Sequence, residues 1–296
     1  MSVNALLKNV ILTPFNLLYA VSPRLNAKLL YRLKTGKRLD LDHPKTYNEK
    51  LQWIKLYDRN PLMPRCVDKY TVRQYVAEKG LEGLLNELLW SGYDPAEIPF
   101  DRLPKAFVIK VTTGSSFNII CRDRDALDRE QTVRRLRRWL KARYIPCYGE
   151  WFYGKVRPRV IVEALLTNGP GTDALDDYKV YCFNGVPRYI SVDSGRFEGK
   201  HYKNIYDADW RLQRGCEMAY PAGGADVPRP PCLDALLDAA RTLSADFLHA
   251  RVDFYVVDGR PVFGEITFLN SAGFGRVAPE SFARAMGDCL RLPIEE

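Results

Sequence analysis

Apolar positions at helical spacing dominate the first part of the chain. The apolar run Val3–Val21 predicts a first helix, and three prolines interrupt the helical pattern of residues 1–60. Thr46 opens a Thr-x-x-Glu capping box at the start of a further helix, and Asp68 opens the next one. The N-terminal region is therefore predicted to be helical.

A loop-like segment, residues 90–104, separates this N-terminal region (1–100) from a body (101–296) in which strands and helices mix. Asn184-Gly185 and Asp258-Gly259 are strong signals for β-hairpins. The predicted strands and helices of the body are strands 107–110, 118–121, 159–166, 177–183, 186–192, 251–257 and 262–268, and helices 128–143 and 233–249.

Composition narrows the class of protein. The 296 residues carry a formal net charge of +8, which favours anionic partners without choosing among them. The arginine-rich helix 128–143 has the pattern of a solvated face, so we expect no nucleic-acid partner. Seven scattered cysteines without a Cys-x-x-Cys pair, and only three histidines, argue against a zinc site and indicate a cytoplasmic protein.

The N-terminal apolar segment has two interpretations. Val3–Val21 contains Lys8 and Pro14, so we do not predict a membrane-spanning helix. Because basic residues follow it between Arg24 and Arg38, the segment can lie on a membrane surface, at the inner face of the membrane. A helix packed on the body of the protein is the alternative.

Five charged residues interrupt strands that otherwise have the pattern of buried strands. They are Lys110, Glu163, Lys179, Asp253 and Glu265. A charge in a buried strand is costly unless it is paired with an opposite charge or binds a ligand. One such residue would fit a structural ion pair, whereas five together indicate a common ligand site.

These residue types suit ATP with Mg²⁺. Lys110 and Lys179 can neutralise phosphate charge, while Asp253 and Glu265 can supply the carboxylates that Mg²⁺ uses alongside phosphate oxygens. Backbone N–H groups of a small-residue turn can bind phosphate oxygens. That turn is Thr113, Gly114, Ser115 and Ser116.

The last hairpin permits a geometric test of the metal site, because side chains alternate along strands. A two-residue turn at Asp258-Gly259 would place Asp253 and Glu265 on opposite faces. A three-residue loop, Val257–Gly259, pairs Arg251 with Glu265 and places the two acids on one face. We predict the three-residue loop and a shared face.

With these residues in this order, the chain resembles the TupA-like ATP-grasp family, which is named for teichuronopeptide biosynthesis. The resemblance covers residues from about 23 to 293. The segments that carry it are HPKTYNEKLQWIKLYDRNPL (43–62), DKYTVRQYV (68–76), LPKAFVIK (103–110), DYKVYCFNG (177–185) and RVDFYVVDGRPVFGEITF (251–268).

The resemblance implies an α+β ATP-grasp fold, in which a small lobe (101–166) and a large lobe (167–296) grip ATP. Lys110 is then expected to hold the ATP phosphates, and Glu163 to lie at the hinge that contacts adenine and ribose. Lys179 is expected to reach a phosphate or the reacting carboxylate.

The remaining implied roles concern the metal and the substrates. Asp253 and Glu265 are expected to bind Mg²⁺, with Glu265 bridging. Lys69 is similar to the lysine that precedes the small lobe in many ATP-grasp enzymes. The residues implied in catalysis are Lys179 and Arg251, and those implied in contact with an anionic substrate are Arg196, Lys200, Arg251 and Asn270.

The phosphate loop departs from the family pattern, whereas Thr267 departs from the wider ATP-grasp pattern and resembles the TupA-like one. Residues 111–117 read VTTGSSF, where a His-Gly-Ser-Gly type loop is usual, and fewer glycines predict a stiffer loop. Thr267 stands two residues after Glu265, where ATP-grasp enzymes commonly have Asn; Asn270 can compensate for it.

The resemblance implies an ATP-dependent carboxylate–amine ligase of cell-surface polysaccharide biosynthesis, acting through an acyl phosphate. Its expected partner is a carboxylate substrate of uronic-acid type, either a small molecule or polysaccharide-linked. Three alternatives stay open: a sugar kinase, a glycosyltransferase that uses the triplet Asp207-Ala208-Asp209, and a non-catalytic polysaccharide-binding homologue.

Overall fold

Two antiparallel sheets form the framework of the computed structural model, which describes residues 3–142, 144–168, 175–194, 202–220, 223 and 226–294. The α-helices are α1 (Val3–Val21), α2 (Pro23–Thr35), α3 (Tyr47–Tyr57), α4 (Met63–Val67), α5 (Thr71–Glu78), α6 (Arg129–Leu140), α7 (Leu233–Ser244) and α8 (Glu280–Asp288). The strands are β1 (Leu88–Gly92), β2 (Phe107–Val111), β3 (Asn118–Cys121), β4 (Val160–Ala164), β5 (Asp177–Phe183), β6 (Val186–Ser194), β7 (Tyr202–Asp207), β8 (Glu217–Met218), β9 (His249–Val257), β10 (Arg260–Thr267) and β11 (Val277–Ala278).

The smaller of these sheets has the strand order β1-β4-β2-β3. Because side chains alternate along its strands, Ile109 and Val162 point to one face, where they pack against Leu136 of helix α6. Lys110 and Glu163 point to the other face. The apolar face therefore fixes the sheet on its helix and leaves the charged face available for a site.

The larger sheet has the strand order β10-β9-β5-β6-β7. Its apolar face, which includes Val180 and Val252, packs on the apolar stripe of helix α7, which includes Leu236 and Ala240. The opposite face carries polar residues of all five strands. Both sheets thus turn a charged face away from their own packing helix.

The helices of the N-terminal region join the core of the larger sheet. The predicted capping box begins α3: the Thr46 hydroxyl accepts a hydrogen bond from the Glu49 N–H, and the Glu49 carboxylate accepts one from the Thr46 N–H. Leu51 and Ile54 of the same helix are buried in that core. The boundary near residue 100 stays a prediction.

Strand β1 is a difference from the sequence prediction, which assigned residues 90–104 to a loop. Trp90, Ser91 and Gly92 pair with β4, and a bulge lies between Leu88 and Trp90. A glycine and an irregular register conceal the strand pattern in the sequence.

The last hairpin has the predicted shared face but not the predicted loop. Val257 pairs with Arg260, so the turn has two residues, Asp258-Gly259, and the three-residue loop was wrong. Asp258 and Gly259 both have positive φ, at 49° and 73°, as a tight turn of the hairpin type requires.

A β-bulge at Gly264 restores the shared face. The register shifts by one residue between Phe263 and Glu265, so that Glu265 stands directly opposite Asp253. A side-chain carbon at Gly264 would lie 3.0 Å from the Asp253 carbonyl oxygen, so glycine suits this close approach. The extra residue of the bulge, and not a longer loop, places Asp253 and Glu265 on the same face.

None of the described helices has the length and apolar character needed to cross a membrane.

We expect Gly287→Ala to destabilise the protein, because helix α8 meets the start of α3 at this residue. An added methyl group would lie 2.0 Å from the Lys45 carbonyl oxygen. The free energy of unfolding should fall by about 1–3 kcal/mol, measured by denaturant titration. Gly83→Ala is the matched control, because no atom lies within 4 Å of the new methyl group; an equal loss in both variants would contradict the packing argument.

Candidate active site

Glu163 on β4 lies between two cations. Lys110 on β2 places its Nζ 2.6 Å from the Glu163 Oε2, and Arg73 on α5 places an Nη 3.2 Å from the Oε1. Sequence reasoning missed Arg73, because a charged residue on a helix gives no sign of a distant partner. With two cations on one carboxylate, the charged face of the smaller sheet carries net positive charge.

Lys179 on β5 is surrounded by carboxylates. Its Nζ contacts Asp177 and lies 2.8 Å from the Asp253 Oδ2 and 3.7 Å from the Asp193 Oδ2. Burial lowers the pKa of Lys179, but the negative charges of Asp253 and the other acids raise it by a larger amount. The pKa of Lys179 is therefore above its usual value. The lysine is thus a fixed positive charge inside the larger sheet.

Asp177, Asp193 and Lys203 were also missed by the sequence analysis. Asp177 lies two residues before Lys179 and therefore on its face of the sheet, which is a signal that the sequence did contain. Lys203 on β7 places its Nζ 3.1 Å from the Asp193 Oδ1. The buried charges therefore extend across four strands.

Arg251 on β9 binds Asp253 through two parallel hydrogen bonds. Its Nε and one Nη donate to the two carboxylate oxygens, both at 2.7 Å. The other Nη donates to the Asn270 side-chain oxygen at 2.8 Å, and Thr267 accepts a further bond at 3.2 Å. Arg251 therefore links the strand pair to the turn that follows β10.

Glu265 is partly buried and is the more accessible member of the acid pair. Lys69 approaches its Oε2 to 3.0 Å, and Arg251 approaches its Oε1 to 3.6 Å. Burial raises the pKa of Glu265, but the charges of Lys69, Arg251 and Lys179 lower it to about 2. Glu265 is therefore ionised at neutral pH.

The segment from Lys69 to Arg73 joins the two sheets. The Lys69 N–H donates to the Thr112 carbonyl at 3.0 Å, and its Nζ reaches both Glu265 and, at 3.5 Å, the Gly114 carbonyl. One turn later along the chain, Arg73 pairs with Glu163. All five charged residues predicted from the strands therefore meet this segment or one another.

The predicted phosphate loop closes the end of the β2–β3 hairpin. Gly114 and Ser116 have positive φ, at 86° and 63°. A side-chain carbon at Gly114 would lie 3.0 Å from the Phe117 ring, which itself stacks on Trp139. The loop needs its single glycine, and its exposed members Ser115 and Ser116 face the cleft between the sheets.

Solvent access divides the site into two layers. The side chains of Lys69, Lys110 and Glu265 are 21%, 24% and 38% exposed, so that a ligand in the cleft can contact them. Lys179 and Asp253 are buried beneath. The cleft measures about 2770 Å³, whereas pockets for one small ligand are typically about 300–1,000 Å³. It has room for two substrates.

The donor set fits a Mg²⁺ ion. Asp253 and Glu265 stand opposite each other on one face, and carboxylate oxygens are the protein ligands that this hard cation uses. Asp253 accepts three N–H donors, whereas a carboxylate offers about four lone-pair positions. One position on the Asp253 Oδ1 is therefore left for a metal.

Glu150, which lines the cleft, has a buried titratable neighbour in Lys55. Burial lowers the pKa of Lys55 to about 7 and raises the pKa of Glu150 to about 7. The Lys55 side chain lies against the backbone of Gly149, and its Nζ donates to the Ala272 carbonyl at 2.6 Å. Glu150 lines the cleft, and burial, followed by the charges of Glu150 and Glu265, raises the pKa of Tyr153.

Three further candidates from the sequence, Arg196, Lys200 and the triplet Asp207-Ala208-Asp209, do not join this site in the described part of the chain. Arg196 and Lys200 lie outside the described residues. The Asp207 carboxylate accepts hydrogen bonds from the N–H groups of Asp209 and Arg211, at 3.0 and 2.8 Å, which are the contacts of a polar turn at the end of β7. Nothing in this turn favours a nucleotide-sugar site.

Comparison with known proteins gives one family and several distant structures. The family model described as TupA-like ATPgrasp matches residues 49–291. No curated protein sequence matches the chain. Among solved structures, D-alanine–D-alanine ligase from Bacillus anthracis complexed with ATP is similar at 15% identity and a TM-score of 0.41, over 69% of this chain and 55% of that one. An L-amino acid ligase from Bacillus licheniformis is similar at 14% identity and a TM-score of 0.47, over 76% of this chain and 49% of that one. The chain thus spans about half the length of these two ligases.

We expect Lys179→Met to destabilise the protein by about 3–5 kcal/mol, because buried carboxylates lose their central cation. Denaturant titration at several pH values measures this loss. The loss should shrink as the pH falls, since protonation removes the uncompensated negative charge. In the control Lys79→Met, a partly exposed pair with Asp246 is removed, and the loss should be about 0–1 kcal/mol. A loss at position 179 no larger than the control would refute the buried network.

Proposed function

This chain belongs to the TupA-like ATP-grasp family, and we propose that it joins a carboxylate to an amine with ATP during the assembly of cell-surface polysaccharide. The carboxylate is of uronic-acid type, and the amine is an amino acid or an amino sugar. One observation carries the proposal. Charged residues from two separate sheets converge on one cleft, through a single bridging segment at Lys69.

ATP binds with its phosphates between the two sheets. Lys110 can leave Glu163 and bind a phosphate oxygen, because Arg73 remains paired with Glu163. The buried carboxylate of Glu163 is then not left without a cation. Lys69 and the backbone N–H groups of the loop at Gly114 complete the phosphate contacts. The net positive face of the smaller sheet favours the triphosphate over a neutral ligand.

Asp253, Glu265 and the side-chain oxygen of Asn270 are the groups that would hold Mg²⁺. When bound, the ion neutralises charge on the phosphate groups. Lys179 and Arg251 act on Asp253 from beneath, since both bind its carboxylate and neither is open to the cleft to the same extent as Lys69. Their role is to fix the acid that faces the phosphates.

The reaction has two steps. An oxygen of the substrate carboxylate attacks the γ-phosphorus, ADP leaves, and an acyl phosphate forms. Lys69 and Lys110 stabilise the negative charge on the transferred group. The amine nitrogen then attacks the acyl carbon, and phosphate leaves with the electron pair of the broken bond.

Glu150 accepts the proton that the attacking amine loses. A general base is most effective when its pKa is near the working pH, and burial places that of Glu150 at about 7. It lines the same cleft as Tyr153 and Glu265. Its side chain accepts no hydrogen bond within the described part of the chain, and the nearby charge of Lys55 favours its ionised form.

Calorimetry with a non-hydrolysable ATP analogue and Mg²⁺ tests the nucleotide site. We expect Lys110→Met and Glu265→Gln to weaken binding by at least about tenfold each, since the first removes a cation that binds a phosphate and the second removes a carboxylate that would hold Mg²⁺. Lys105→Met, an exposed lysine before the same strand, should leave affinity unchanged. Equal affinity of the wild type and the three variants for the analogue would exclude the site. Lys110→Met should keep the wild-type midpoint of denaturant unfolding, because Arg73 still pairs with Glu163.

Hydroxylamine trapping tests the acyl phosphate and the base together. Hydroxylamine is largely unprotonated at neutral pH, so it attacks an acyl phosphate without a base. With ATP and glucuronic acid, we expect Glu150→Gln to form the hydroxamate at the wild-type rate but to form the amide with an amino acid about 10²-fold or more slowly. Free amine becomes more abundant with pH for both proteins, so the test is the ratio of wild-type to variant amide rates, which should rise through about pH 7 as Glu150 loses its proton.

Two outcomes contradict this scheme. A phosphorylated sugar without any hydroxamate would identify a sugar kinase. Equal losses of hydroxamate and amide in Glu150→Gln would place this residue in the first step or in folding, and not in proton transfer from the amine.

A further inference from the structure

Two helices at the start of the chain each present apolar side chains to solvent. On α1, Leu17 and Val21 are 66% and 85% exposed and lie one helical turn apart. On α2, three leucines spaced four residues apart form one stripe. Their exposed fractions are 54% for Leu25, 41% for Leu29 and 63% for Leu33.

Helix α2 also carries a basic row beside its leucine stripe. Arg24, Lys28 and Arg32 each precede one of the leucines by one residue, so that the two rows run side by side along the exposed half of the helix. Arg24 forms an ion pair with Asp42, while Lys28 and Arg32 form no ion pair among the described residues. An amphipathic helix that lies on a bilayer has this arrangement of apolar residues and Lys or Arg.

The opposite side of the helix pair is fixed to the body of the protein. Asn16 of α1 accepts a hydrogen bond from the Cys147 N–H at 2.9 Å, and Asn26 of α2 donates to the Cys147 carbonyl at 2.8 Å. Leu30 and Tyr31 are buried on this side. Both helices are therefore held by one residue of the body, which keeps the apolar and basic rows turned outward.

Helix α1 adds apolar surface without adding charge. From residue 9 to residue 21, it has no acidic or basic side chain. A solvated helix face normally carries charges, so this uncharged stretch has the character of an interaction surface. An uncharged apolar face bordered by a basic row is complementary to acyl chains below anionic headgroups.

We propose that the exposed face of α1 and α2 docks on a bilayer that contains anionic lipid, with the leucine stripe at the level of the acyl chains and the basic row at the headgroups. Asn16 and Lys34 of these helices also border the cleft of the candidate active site. The docked protein therefore holds its cleft beside the membrane. If the proposed function holds, the surface suits a carboxylate-bearing saccharide carried on a lipid.

Vesicle flotation of the full-length chain tests the proposal, with phosphatidylcholine vesicles that do or do not contain phosphatidylglycerol. We expect wild type to float with the anionic vesicles and to dissociate as salt is raised. Leu29→Glu/Leu33→Glu and Lys28→Glu/Arg32→Glu should each reduce the bound fraction by at least about tenfold.

Two controls match these changes elsewhere on the surface. Ile120→Glu/Val186→Glu replaces exposed apolar residues outside the helix pair, and Arg134→Glu/Arg138→Glu reverses two arginines four residues apart on α6. Both should float as wild type does. Equal loss in test and control variants, or no flotation of wild type, would overturn the proposal.

Sedimentation velocity without vesicles separates a bilayer from a second copy of the chain. A wild-type dimer that Leu29→Glu/Leu33→Glu converts to monomer, with vesicle binding unchanged, would assign the face to self-association and overturn the proposal. Calorimetry with the ATP analogue on the same variants keeps the two proposals apart. Variants that bind the nucleotide normally but no longer float are folded, and their loss supports the membrane surface. Wild type that floats but does not bind the nucleotide would contradict the proposed ATP site and leave the membrane proposal intact.

Discussion

The pairing of Asp253 with Arg251 and Lys179 is the interaction on which the rest of the site depends. A carboxylate inside a sheet is stable only if cations and hydrogen-bond donors replace its water. Here a guanidinium holds both oxygens and a lysine holds one of them. The orientation of Asp253 is therefore fixed before any ligand arrives, and Glu265 opposite it inherits a defined position from the strand pairing.

This arrangement explains why an ATP-grasp protein uses so many charges where fewer would bind a nucleotide. The partly exposed layer of Lys69, Lys110 and Glu265 can exchange its ion pairs for contacts to a ligand, whereas the buried layer beneath it is closed to the cleft by its own ion pairs. Arg73 belongs to the same logic, because it keeps Glu163 neutralised whether or not Lys110 is engaged elsewhere. Ligand contacts can then change without exposing the core to an unpaired charge.

The sequence predicted the residues that interrupt buried strands, since a charge in an apolar run is visible without a structure. It also predicted the α+β ATP-grasp fold through motif resemblance, and the family match confirms that resemblance. It did not predict Arg73 or Glu150, because a helix residue and a residue in an irregular turn have partners that only tertiary packing assigns. The hairpin shows the limit most clearly. The shared face of Asp253 and Glu265 was predicted for the wrong reason, because a bulge leaves no periodic signal beyond one glycine.

Because of the bulge at Gly264, the length of the last hairpin determines which face of the sheet its acidic residues occupy. Side chains alternate in steps of two, and so the number of residues between the two acids, odd or even, decides which side of the sheet each acid faces. Gain or loss of one residue in that interval would exchange the cleft-facing and core-facing sets of β10 at once, whereas two compensating changes would leave both in place. Among relatives, insertions and deletions in this interval are therefore expected to involve an even number of residues. Substitutions in the hairpin should be tolerated more readily than changes in its length.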